Sequence, residues 1–268
     1  MTKSRLYIPH IDKTGGQSVE KMLCDNLTRL SWTYDVNGGS DFPDPIPEAY
    51  ARIGMHQSYD PDIMDDSWLK VLIIRDPLER FVSTYNFYKF EMWRDTGSVI
   101  NLTIDQYCAM IRMKNMGKTS LAAKHLGPNA PIANIKYYAE NALDAFPWSM
   151  FMSPRGYVSP ITSLNAEQPM DGFQFTVANI FDQFDCIIRT ETLSELGDVL
   201  DPLGLKIDPF VHVNSREQHA KWMDMDPASH VFSVYDLTEL QKQKIEAITE
   251  FQEEAAMWST YNHVYRRP

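Results

Sequence analysis

The period of the apolar positions changes several times along the chain, and each change marks an element. Leu6-Tyr7-Ile8 is a short apolar run of strand length. A polar, glycine-containing turn follows, from Asp12 to Ser18, and then Val19, Met22, Leu23, Leu27 and Leu30 recur at helical spacing. This predicts strand, tight loop, helix. From Asn37 to Pro47 the chain carries Gly38-Gly39 and three prolines, which predicts a loop. Val71-Leu72-Ile73-Ile74 has the length and β-branching of a buried parallel strand. Asp76 then stands as an N-cap, with Pro77 at the first helical position and Glu79 at the third. Leu78, Phe81, Val82, Tyr85 and Tyr88 mark the buried face of that helix, and Arg80, Ser83 and Asn86 fall off the stripe.

The middle of the chain, roughly 127–172, has short apolar pieces without a long period and reads as loops and short helices over the core. Phe184-Asp185-Cys186-Ile187-Ile188 is a third strand, followed by a helix over Leu193 to Leu203. A last helix covers about Leu237 to Trp258, with Leu240, Ile245, Ile248, Phe251 and Trp258 inward. Strands alternating with helices predict an α/β fold: a central, mainly parallel sheet flanked by helices in three layers. One domain spans residues 1–268, with about 101–172 as an inserted region.

Composition narrows the function classes. The chain has 268 residues, 44% hydrophobic and 12% aromatic, ample for a globular core. Its 25 Lys+Arg against 36 Asp+Glu leave a net charge of −11, which argues against general nucleic-acid binding. The charge does not exclude one local basic pocket. The apolar runs are too short to span a bilayer, and the start carries no signal-peptide pattern. Cys24, Cys108 and Cys186 are far apart and odd in number, which fits reduced thiols. The expectation is a cytoplasmic protein without a membrane segment. No HExxH, CxxC or other metal-ligand spacing is present, so no metal is expected.

The loop Lys13-Thr14-Gly15-Gly16-Gln17-Ser18 suits an anion. Two glycines let the backbone approach closely, and the helix start adds free N–H donors and a positive dipole end. Lys13 supplies charge; Thr14 and Ser18 supply hydroxyls. It is not a Walker A loop, because the lysine precedes the glycines. Taken alone, the string is equally a turn and helix cap with a solvated lysine. The second constellation is Arg75-Asp76-Pro77-Leu78-Glu79-Arg80-Phe81-Val82-Ser83. It puts Arg75 at the carboxyl end of a strand and Ser83 two turns into the next helix, where α/β sheets bind ligands.

Strand–KTGGxS–helix followed, about sixty residues on, by strand–RDPxxRFxS–helix resembles the sulfotransferases that use 3′-phosphoadenosine 5′-phosphosulfate (PAPS). Within them the chain is most similar to the carbohydrate sulfotransferases of the heparan and chondroitin type and their bacterial or viral counterparts. The resemblance implies a P-loop-like fold, PAPS as cofactor, and its release as the desulfated bisphosphate PAP. It implies that Lys13, Thr14, Gly15, Gly16, Gln17 and Ser18 hold the 5′-phosphosulfate, and that Arg75 and Ser83 hold the 3′-phosphate. Phe184-Asp185-Cys186-Ile187-Ile188-Arg189-Thr190-Glu191 is similar to a later family strand ending in a Thr-Glu pair, and Val213-Asn214-Ser215 resembles a downstream loop that closes over the nucleotide. One position departs: Asp12 stands where family members commonly carry proline.

Sulfuryl transfer is an in-line displacement, in which the protein positions groups and stabilises charge. Lys13 would neutralise the leaving phosphate, and the acceptor hydroxyl needs a base. Of the seven histidines, His56, between the two motifs in Gly54-Met55-His56, resembles the family's catalytic histidine in position; His10 is second. Trp93, past the periodic stripe, is a candidate for the acceptor cleft. The expected partner is a hydroxylated acceptor, a glycan or small molecule, and the acidic balance favours a neutral or lightly charged one. A divergent small-molecule kinase and a non-catalytic nucleotide-binding module are the alternatives. The kinase reading lacks magnesium ligands and a lysine after the glycines.

Overall fold

The computed structural model describes residues 3–9, 16–36, 43–54, 65–97, 102–115, 184–206, 221, 232–261 and 265–266. Strand β1 (Arg5–Pro9) leads to helix α1 (Gly16–Arg29), then β2 (Thr33–Val36), β3 (Tyr50–Gly54) and β4 (Trp68–Ile74). Helices α2 (Pro77–Thr96) and α3 (Ile104–Asn115) follow. Next come β5 (Cys186–Arg189) and the short helix α4 (Leu196–Leu200), between 3-10 turns at Thr190–Glu195 and Asp201–Leu203. Helices α5 (Glu239–Glu246) and α6 (Thr249–Tyr261) and the strand β6 (Tyr265–Arg266) close the chain.

The six strands form one sheet in the order β2-β3-β1-β4-β5-β6. All neighbours pair in parallel except β6, which runs antiparallel to β5 at the edge. Parallel strands are buried on both faces, and β4 obeys this: every residue from Trp68 to Ile74 except Lys70 is buried. Alternate residues serve opposite faces. Leu6, Ile8, Ala51, Ile53, Val71, Ile73, Cys186 and Ile188 pack one face against α1 and α4. Tyr7, Leu72, Ile74 and Ile187, of the other parity, are also buried. The crossover from β1 runs towards the β2 edge and that from β4 towards β5; right-handed connections therefore put α1 and α2 on opposite faces. A second core joins α2, α3, α5 and α6 through Phe81, Tyr85, Tyr107, Ile111, Ile245 and Phe251. The result is the three-layer α/β fold anticipated from the pattern.

Helix α2 begins as its sequence dictates. The Asp76 carboxylate accepts from Leu78 N at 3.0 Å and Glu79 N at 2.9 Å, with Pro77 in the first turn. It ends at Gly97, whose φ of 67° is open to glycine at little cost, and Gly97 N donates to Trp93 O.

Several sequence expectations are corrected. Strands β2 and β3 are not visible as periodic runs: β2 is a short, polar edge strand, and β3 carries Arg52 in its middle, fully buried. Leu30 is not on the buried face of α1; the helix stops at Arg29 and Leu30 is exposed. Arg80 and Asn86 are buried, not off the stripe of α2, because the α5–α6 layer covers that side too. The expected helix over Leu193 to Leu203 is α4 flanked by 3-10 turns, with non-helical backbone at Thr192 and Pro202 opening the last turn. The expected helix from Leu237 to Trp258 is interrupted at Ala247-Ile248, and Leu240 faces solvent. The described part of the Asn37 to Pro47 loop, residues 43–47, is irregular, and segment 127–172 lies outside the described residues.

Candidate functional site

Because β1, β3, β4 and β5 are parallel, their carboxyl ends share one edge of the sheet. At that edge β1 hands over to residues 10–15 and α1, β3 to the segment bearing His56, β4 to Arg75, and β5 to Thr190. The order also reverses there: β1 lies between β3 and β4, and the chain leaves it in one direction and leaves β4 in the other. Such a switch point opens a crevice between strand ends, where α/β folds bind ligands.

The two expected phosphate sites differ in how they handle charge. Helix α1 starts at Gly16, the last glycine of the loop, and has no acidic residue in its first turn. No acid within that turn offsets its dipole end, a setting that suits an anion. Ser18, in that turn, is buried. Helix α2, by contrast, is capped by Asp76 and carries Glu79 in its first turn, so its own acids already satisfy the dipole. An anion beside α2 depends on side chains. Arg75 Nη2 lies 3.3 Å from Glu79 Oε2, and both side chains are largely buried. Ser83 is half-buried one turn beyond Glu79, so Glu79 and Ser83 follow each other on one helical face.

Lys13, Thr14, Gly15 and His56 lie outside the described residues, as do His10 and Asp12; Gly16 is described as backbone, and the Gln17 side chain is not described. Of the expected site residues, the structure therefore describes the side chains of Ser18, Arg75 and Ser83. Trp93 is half-buried and packs on Phe90, with ring centroids 5.9 Å apart. The neighbouring aromatics are core: Tyr85 and Tyr88 both pack on Tyr107.

Three features were not singled out from the sequence. Glu79 is the partner of Arg75. The buried Arg80 guanidinium donates from two nitrogens to the Glu254 carboxylate on α6. Arg189, which ends β5, carries a buried Nε with no hydrogen-bond acceptor. A cation ending a buried strand was the available signal for the last.

Residues 2–121, a little under half of the chain, match the profile described as the sulfotransferase family. Across that segment the chain is similar to the sulfotransferase family. The match contains β1 to β4, α1, α2 and α3, and so both the segment 13–18 and the segment 75–83. The chemistry of a sulfotransferase is transfer of a sulfuryl group to an acceptor. No curated relative matches the chain. Among the described residues, no helix is long and apolar enough to cross a membrane, and no three potential metal ligands cluster.

Proposed function

We propose that the protein transfers the sulfuryl group of PAPS to a hydroxyl of a neutral or lightly charged glycan or small molecule. The observation that supports this best is the family match over a segment whose two motifs follow the adjacent parallel strands β1 and β4, with no acid in the first turn of α1. The described residues fit a bisphosphate donor. A helix start with no acid in its first turn suits the phosphosulfate end, and Arg75 with Ser83 suits a second phosphate.

In this reading Ser18 and the backbone N–H groups at Gly16 and Gln17 orient the 5′ end. Arg75 and Ser83 fix the 3′ end and so hold the donor in line with the acceptor. Lys13 neutralises charge on the departing phosphate oxygen. His56 takes the acceptor's proton as general base. PAPS supplies the sulfuryl group itself.

Incubating the protein with labelled PAPS and a glycan panel tests the reading through the appearance of labelled, sulfated acceptor. Preference for ATP with magnesium would overturn it. His56→Ala should lower kcat by about a hundredfold or more while leaving PAP affinity unchanged. Unchanged kcat would remove His56 as the base.

A further inference from the structure

The 3′-phosphate pocket as described is short of positive charge. A phosphate monoester carries roughly −1.5 to −2 near neutral pH. Arg75 brings one positive charge, but Glu79 lies within 3.3 Å of it. Ser83 brings none, and the α2 dipole is already met by Asp76 and Glu79.

Arg189 stands beside this pocket. In the register Ile74 pairs with Arg189, so Arg75 and Thr190 continue side by side from adjoining strand ends. Thr190 Oγ1 donates to Ile74 O at 3.1 Å, which ties the two ends together. Register partners share a face: Ile73 and Ile188 both pack on the α1 side. Arg189 therefore belongs with Ile74 on the opposite face, that of α2, whose Glu79 holds the Arg75 side chain. Its backbone oxygen accepts from Thr192 Oγ1, yet its Nε is buried with no acceptor. No carboxylate among the described residues pairs with its guanidinium. A buried charged donor without an acceptor is unfavourable unless something else supplies one.

We infer that Arg189 is a further ligand of the donor's 3′-phosphate and makes the site selective for a 3′-phosphorylated nucleotide. The inference rests on the PAPS reading above. A guanidinium fork offers paired donors to phosphate oxygens. With Arg189 the pocket holds two arginines against one glutamate, a net positive charge to meet the dianion.

Calorimetric titration of the full chain with adenosine 3′,5′-bisphosphate and with adenosine 5′-monophosphate tests it. In Arg189→Gln, affinity for the bisphosphate should fall about ten- to a hundredfold. Affinity for the 5′-monophosphate should stay within about twofold of the parent. Arg189→Lys keeps the charge without the fork and should fall between. It also serves if the glutamine variant does not fold, since the melting temperature reports folding separately. Unchanged bisphosphate affinity, or equal losses for both nucleotides, would overturn the role of Arg189 while leaving the PAPS reading intact. A parent protein that does not prefer the bisphosphate would overturn both.

Discussion

Arg75, Asp76, Glu79 and Ser83 show how one short stretch divides structural from binding work. Asp76 accepts two backbone N–H bonds and starts α2. Arg75, which contacts Glu79, and Ser83 lie on either side of the cap, where an anion would depend on side chains because α2's dipole is already met. Replacing each therefore has a different signature. Arg75→Ala should weaken PAP binding by roughly ten- to a hundredfold with little change in melting temperature. Asp76→Ala should instead cost about 1 kcal/mol of stability, read by denaturant titration. The cysteines are a further contrast at this scale. Burial pushes the Cys108 thiol up to about 12, so it stays protonated and inert at neutral pH.

Elements are joined by polar contacts that one-dimensional patterns do not display. The Arg80–Glu254 pair links α2 to α6 with both side chains buried. Breaking such a pair strands a charge, whereas replacing both members by apolar groups removes the need for it. Glu254→Gln should destabilise by about 3 kcal/mol or more, and Arg80→Met with Glu254→Met should recover much of that loss in urea unfolding. Asp105 on α3 accepts from Lys244 Nζ at 2.5 Å and from Gln241 Nε2 at 3.1 Å, both on α5. Those bonds hold its carboxyl below the ordinary value of 3.8. A lowered folded pKa means the contact stabilises when ionised and is lost as acid protonates it. Asp105→Asn should cost less than about 1 kcal/mol at neutral pH, because the pair is half exposed. The difference from the parent should shrink as the pH falls below the ordinary carboxyl value of 3.8 in thermal melts. Asn86 makes a third such link: its amide donates to Phe232 O and accepts from Phe232 N, fastening the approach to α5 onto α2. On the helical pattern Arg80 and Asn86 look solvent-facing, because periodicity records apolarity and not which polar group has a buried partner.

At the scale of the molecule, the net charge of −11 sits beside a strand edge that gathers Arg75 and Arg189 on adjoining strands. An acidic protein with a local cationic crevice favours an anionic nucleotide there and disfavours a long polyanionic acceptor elsewhere. The fold also depends on its far end: Leu237, Ile245, Ile248 and Phe251 complete the core around α2 and α3. A chain ended after residue 231 would expose that face and leave Arg80 without Glu254. It should lose cooperative thermal unfolding and bind the dye ANS, while a full-length control does neither.

The sequence by itself determined the strand and helix pairs β1–α1 and β4–α2, the Asp76 cap and the α/β class. These are local matters: periodicity, capping and glycine placement act within one or two turns of chain. Only the tertiary structure decided the strand order, the short strands β2 and β3, the break between α5 and α6, and the burial of Arg80 against Glu254, 174 positions away. It also decided that Arg189 stands beside Arg75, since a parallel register joins residues that the sequence keeps more than a hundred positions apart. Pairing across a sheet and between helices is set by which surfaces can be buried together, and that property belongs to the folded chain, not to any one segment of it.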